Sequence, residues 1–277
     1  MGLLDGKVAV ITGAARGQGR EHATRFADEG ADIIAIDLCG TVEAMSTSYA
    51  LATREDLDET ASSVEERGRR VVARVADVRD RHAMQEAVDD GLRELGRIDI
   101  VVANAGIWAV SLEEPRDADR RVRVWEDTIA VNLTGVWNTI EVTAPAMVDA
   151  GQGGAMVLTS SIQGLKGAAN NDLSLTAYTA SKHGVVGLMR ATAIDLAPHS
   201  IRVNSIHPTG VLTPMVNNEI VPAYSEKHPR LGDLMANKLP VPVLEPVDIT
   251  SAILFLVSDA GRYVTGVALP VDAGAML

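Results

Sequence analysis

The sequence predicts an α/β fold: a doubly wound parallel sheet of about seven strands, with helices on both faces, in one domain. Three observations carry this. Short β-rich runs alternate with longer helical patterns over all 277 residues, the signature of strand–helix–strand units. Several runs are apolar at every position, as strands buried on both faces require. The first run leads directly into a glycine-rich turn and then a helix.

In chain order, Val8–Ile11, Ile33–Ile36, Val71–Val75, Ile98–Ala103, Ala155–Leu158, Ile201–Ile206 and Val267–Val271 read as strands. Gly19–Glu29, Arg81–Leu95, Glu126–Ala150, Ala177–Ala197 and Ile249–Val257 read as helices between them. No linker, repeat or low-complexity tract interrupts the pattern. Two connections exceed the usual short βα loops: Cys39–Thr60, of mixed content, and Pro208–Pro246, rich in Pro, Met and Asn. The second follows a strand's carboxyl end, where open α/β sheets bind ligands.

Composition narrows the function. Hydrophobic residues are 47% of the chain, enough for a large core, and the formal net charge is -12. That balance argues against nucleic acid and anionic membranes, which need basic surfaces. Aromatics at 3% leave no base-stacking platform. No apolar run approaches the ~18 residues of a membrane span, and the N-terminus lacks a signal-peptide layout. Cys39 is the one cysteine, so a disulfide or cysteine zinc site is out of reach and a cytoplasmic setting is expected. His183 and His207 have no second ligand at metal spacing, so structural roles and no metal are expected.

Strand Val8–Ile11 runs into Thr12-Gly13-Ala14-Ala15-Arg16-Gly17-Gln18-Gly19. Glycines let the backbone turn tightly and approach a pyrophosphate, and the helix N-terminus offers free N–H groups. Asp37, followed by Leu38, ends the second strand, placed to accept hydrogen bonds from an adenosine ribose and to repel a 2′-phosphate. NAD is therefore expected over NADP, although Arg16 near the turn suits a phosphate. Asp77-Val78 after the third strand suits the adenine end. Asn104-Ala105-Gly106 after the fourth is a small turn that admits a cofactor closely.

Tyr178 and Lys182 stand four apart in Tyr178-Thr179-Ala180-Ser181-Lys182, on one face of a helix. A phenol and an ammonium there can act as one acid–base unit, with the positive charge expected to lower the phenol's pKa from about 10.

These motifs, in this order, resemble the short-chain dehydrogenase/reductase family along essentially the whole chain. The match comprises Thr12-Gly13-x-x-x-Gly17-x-Gly19, Asp77, Asn104-Ala105-Gly106, Asn132, Ser160-Ser161, Tyr178-x-x-x-Lys182 and Pro208-Thr209-Gly210-x-x-Thr213. The resemblance implies a Rossmann-like domain, a nicotinamide cofactor, and redox chemistry at an alcohol or ketone carbon. It implies Tyr178 as general base or acid, Lys182 as its partner and a holder of ribose hydroxyls, and Ser161, rather than Ser160, as the group that bonds the substrate oxygen. Asn132 would anchor a water relay behind the lysine. Pro208, Gly210, Val211 and Thr213 would border the nicotinamide. It also implies a homotetramer.

Three departures from the family pattern stand out. Ser161 and Tyr178 lie 17 apart, with the extra residues expected in Ala168–Leu175. His207-Pro208-Thr209-Gly210 replaces the commoner Pro-Gly turn. Cys39–Thr60 reads as an insertion. They resemble the mycofactocin-associated subgroup, which includes the carveol dehydrogenases; that resemblance implies a cap over tightly bound NAD and a mycofactocin redox carrier. The expected activity is oxidation of a small apolar secondary alcohol. A ketone reductase with exchangeable NAD(P)H and a non-catalytic NAD(H)-binding sensor are the alternatives. Met215, Ile220, Val221, Tyr224, Leu231, Leu234 and Met235 could line an apolar pocket or form a packed lid.

Overall fold

A computed structural model describes residues 2–113, 117–167, 172–229 and 236–277. Seven parallel strands form one sheet: β1 (Val8–Thr12), β2 (Asp32–Asp37), β3 (Val71–Val75), β4 (Ile100–Ala103), β5 (Gly154–Thr159), β6 (Ile201–Pro208) and β7 (Ala268–Val271). Their order is β3-β2-β1-β4-β5-β6-β7. β1 pairs with both β2 and β4, so the chain reverses its winding there and the loops after β1 and β4 part at the carboxyl edge. This is where a crevice opens in such sheets.

The apolar strand runs serve two cores. Val8 and Val10 of β1 join one buried cluster, and Ala9 and Ile11 join the other, because successive side chains point to opposite faces. One core packs under α1 (Gly17–Asp28), α2 (Arg54–Glu65) and α8 (Pro246–Val257); the other under α3 (Arg81–Leu95), α4 (Ala118–Ile129), α5 (Gly135–Ala150) and α6 (Leu173–Leu196).

Several boundaries differ from expectation, each for a local reason. The helix expected over Glu126–Ala150 begins at Ala118, where the Asp117 carboxylate accepts from Arg120 N. It carries a π-turn at Ala130–Thr134 between α4 and α5, a feature that often marks functional sites. α6 starts at Leu173 rather than Ala177, capped by Asp172. α8 starts at Pro246, with a reciprocal Glu245–Asp248 cap. α2 begins at Arg54, behind a Thr53–Asp56 capping box. The expected connection Cys39–Thr60 is thus a loop only to Thr53, and its second part is helix. Pro208–Pro246 carries a short helix of its own, α7 (Ile220–Lys227).

Candidate active site

The turn after β1 is shaped by contacts that forbid side chains. Gly13 and Gly17 have φ of +67° and +56°, a region favouring glycine. A Cβ on Gly13 would stand 2.9 Å from the Ala105 Cα, and one on Gly19 would stand 1.9 Å from the Gly13 carbonyl oxygen. Gly19 therefore seats α1 tightly on the turn. α1 has no side-chain N-cap, which leaves first-turn N–H groups for an anion. The Thr12 hydroxyl accepts from Asn104 N at 3.1 Å and Ala105 N at 3.2 Å, and so ties the two loops that flank the crevice.

The resulting cleft is bordered by Gly13, Gly17, Gln18, Asp37, Leu38 and the Asn104-Ala105-Gly106 turn. Asp37 is locked at its edge: Oδ2 accepts from Ala15 N at 2.9 Å and Oδ1 from Cys39 N at 3.2 Å. Each oxygen keeps a lone pair for a ribose hydroxyl. Asp77 and Val78 also border the cleft. The Asp77 carboxylate, however, is engaged by Arg79, whose Nε and Nη2 donate to Oδ2 at 2.9 and 2.7 Å.

The loop between β2 and α2 closes one side of this cleft through Val42, Tyr49, Leu51 and Ala52. It is tied down from several directions. Arg16 also borders the cleft, and its Nη2 donates to the Ala50 carbonyl. Asp127 accepts from Ala44 N at 3.1 Å and from Arg79 Nη1 at 2.9 Å. Arg123 pairs with Glu43 at 2.8 Å, and Trp108 N donates to the Tyr49 hydroxyl at 3.4 Å.

The cleft continues past Asn104, Gly106 and Thr213 into a second cavity containing Ser161, Tyr178 and Lys182. β5 and the short 3-10 turn Ile162–Gly164 place Ser161, and α6 carries Tyr178 and Lys182. Ser161 Oγ accepts from Gln163 N at 3.2 Å and hydrogen-bonds the Tyr178 side chain. Ser160 is turned away, donating to the Lys182 carbonyl at 2.9 Å. Lys182 Nζ donates to the Thr159 carbonyl at 2.9 Å and lies over the Tyr178 ring, 5.5 Å from its centroid.

A model of the short chain dehydrogenase family matches residues 7–221.

The chain belongs to this family.

It is 50% identical over 276 residues to an uncharacterized oxidoreductase of Mycobacterium tuberculosis (98% of this chain, 96% of the relative). It is 47% identical to a (-)-trans-carveol dehydrogenase of Rhodococcus erythropolis, covering 100% of both chains. The crystal structure of a carveol dehydrogenase from Mycobacterium avium in complex with NAD superposes with a TM-score of 0.89 at 48% identity, over 100% of this chain and 99% of that one. The short-chain dehydrogenase fold and the carveol-dehydrogenase-like resemblance read from the motifs are thereby borne out.

Burial governs the acid–base pair. It pushes the Tyr178 phenol up to about 12, against a downward pull from the Ser161 hydrogen bond. It pushes the Lys182 amine down to about 8. The lysine was expected to lower the phenol; in the protein alone, desolvation of both groups wins, because burial disfavours each charged form. Asn132, fully buried in the π-turn, accepts from Ile107 N at 2.8 Å and donates to the Ile107 carbonyl at 2.9 Å and Ser181 Oγ at 3.2 Å. A Cβ on Gly106 would stand 3.4 Å from both Asn132 Oδ1 and Lys182 Nζ, so this glycine lets the two approach the turn. His207 is buried: Nδ1 donates to the Ser161 carbonyl at 2.8 Å, and Nε2 accepts from Ser205 Oγ at 2.8 Å. It holds the Ser161 backbone in place.

Pro208, Gly210, Val211 and Thr213 border the second cavity, as does Met215. Tyr224 is instead a core anchor. It is 1% exposed, sits edge-on to Trp108 at 5.5 Å, and donates to Asp172 Oδ2 at 2.5 Å. Leu231, Leu234 and Met235, and residues 168–171 of the expected extra stretch, lie outside the described residues. Leu175, at the end of the expected extra stretch, also lines this cavity, as do Trp108 and Gln163, which carried no sequence signal.

Proposed function

We propose that the protein is an NAD-dependent alcohol dehydrogenase that oxidises a small, largely apolar secondary alcohol to the ketone, with carveol-like alcohols the first class to try. The observation that carries this is the meeting of Ser161, Tyr178 and Lys182 at the junction of the cleft and a cavity lined by Trp108, Ile162 and Leu175. The glycine contacts and uncapped α1 fit a pyrophosphate, and the pinned Asp37 fits a ribose without a 2′-phosphate. The NAD complex and the carveol dehydrogenase activity named for the relatives support the same reading.

NAD, once bound, supplies the hydride acceptor for the carbinol carbon. Tyr178 takes the hydroxyl proton, and Ser161 Oγ steadies the substrate oxygen as charge develops on it. Ser161 already accepts from Gln163 N, which orients its lone pairs. Lys182 holds the ribose hydroxyls and supplies positive charge beside the phenol. Asn132 fixes the Ile107 backbone behind the lysine and anchors a water relay there.

The tethered β2–α2 loop is read as a cap that retains NAD, since release then requires the loop to open. Electrons would leave through a dedicated carrier of the mycofactocin type. A homotetramer working in the cytoplasm completes the proposal. The test is the nucleotide content of protein purified without added cofactor, followed by a panel of alcohols with an artificial electron acceptor. Near-stoichiometric NAD and turnover support the reading. Empty protein that turns over with soluble NAD removes the cap, and no turnover with any alcohol removes the dehydrogenase.

A further inference from the structure

Gln163 is 1% exposed and lines the cavity beside Ser161. Its position is set twice. Its backbone N–H donates to Ser161 Oγ at 3.2 Å, and its side-chain Oε1 accepts from the Thr179 hydroxyl at 3.4 Å. Thr179 stands next to Tyr178 on α6, so both ends of Gln163 are held by neighbours of the catalytic pair. The amide Nε2 has no hydrogen-bond partner among the described residues. The indole N–H of Trp108, another residue that borders the cavity, is likewise buried without a partner among the described residues. Trp108 stands 6.4 Å from the Tyr178 ring, centroid to centroid.

Buried donors are almost always satisfied, and one left open calls for an explanation. An apolar alcohol offers neither of these two donors an acceptor. Met or Leu at position 163 would have suited such a substrate better. The cavity presents Ile162, Leu175, Met215 and Val216 beside its polar groups, and in a ligand pocket a few placed polar groups fix orientation.

Resting on the alcohol-dehydrogenase reading, we propose that Gln163 is a specificity residue whose amide donates to a second oxygen of the substrate. The substrate class is a secondary alcohol that bears a further hydrogen-bond acceptor, an ether, carbonyl or hydroxyl oxygen, on the same ring or chain. A site built around a donor discriminates strongly against an analogue that lacks the acceptor, because the donor is then left unpaired.

The experiment compares kcat/KM for 2-, 3- and 4-methoxycyclohexanol with the 2-, 3- and 4-ethylcyclohexanols. The two series match in shape and differ in one acceptor oxygen, and a purely apolar cavity favours ethyl. Wild-type protein is expected to prefer methoxy roughly tenfold at one ring position. Gln163→Leu and Gln163→Met should bring that ratio to one or below, whatever their effect on overall rate. A general loss of folding would lower both series together, leaving the ratio in place. Ethyl turned over as well as methoxy at every position in the wild type overturns the proposal, with no variant needed. Binding of the same alcohols to NADH-loaded protein separates the two readings. Selective methoxy binding without turnover would keep the Gln163 site and remove the dehydrogenase. Turnover with no methoxy preference would do the reverse.

Discussion

Lys182 Nζ lies over the Tyr178 ring, 5.5 Å from its centroid, while giving its hydrogen bond to the Thr159 carbonyl at 2.9 Å. The pair is buried, and burial pushes the phenol up and the amine down. Both shifts oppose ionisation, so the protein alone stores the proton on Tyr178. That has a kinetic consequence: alcohol oxidation needs the phenolate, and ketone reduction needs the phenol. Oxidation kcat/KM should therefore rise with pH across the alkaline range, and reduction should fall. A flat oxidation profile between pH 6 and 10 (about a tenfold rise per pH unit is expected below the pKa) would remove Tyr178 as the base.

Tyr178→Phe removes the proton acceptor and little volume. Oxidation should fall by roughly 10²–10⁴-fold, the usual scale of general-base loss, with NAD binding largely kept. Steady-state assays beside an NAD titration check both halves. Turnover close to wild type would reassign the base.

Asp37 is held by Ala15 N and Cys39 N, so it cannot swing away from a 2′-phosphate. NAD should bind at least about tenfold more tightly than NADP, a difference of roughly 1.4 kcal/mol. Asp37→Ser should narrow that gap. Calorimetric titration of both nucleotides decides it, and tighter NADP binding by the wild type would contradict the ribose role.

The β2–α2 loop depends on long-range ties, among them Arg16 to the Ala50 carbonyl and Asp127 to Ala44 N. Arg16→Ala and Asp127→Ala should each speed exchange of bound NAD several-fold. Chase of labelled nucleotide from the loaded protein measures it, and unchanged exchange in both variants would show that the loop is no cap.

His22 and His207 are held neutral by burial, pushed down to about 3 and about 4. In the unfolded chain both return to about 6.5. Between those values the unfolded chain binds more protons, so stability is full above about pH 6.5 and drains as pH falls through 4. Urea midpoints should drop over that window. The His22→Gln, His207→Gln double variant should show a flatter dependence; an undiminished pH slope would place the acid sensitivity elsewhere.

The sequence by itself determined the sheet, the glycine turn, Asp37 at the strand end, and the Tyr178–Lys182 pair, while Ser161 came from the family resemblance. Each is written in local spacing: apolar runs of strand length, glycines between strand and helix, a pair at i and i+4. Only the tertiary structure decided what surrounds them. Gly19 seats α1 tightly against the Gly13 carbonyl. The Asp77 carboxylate turned to Arg79, and Tyr224 went into the core against Trp108 and Asp172. Gln163 and Trp108 came to the cavity through loops whose partners lie far along the chain. Such contacts have no period, since they depend on how separate elements meet, and burial then decides which protonation state each group keeps.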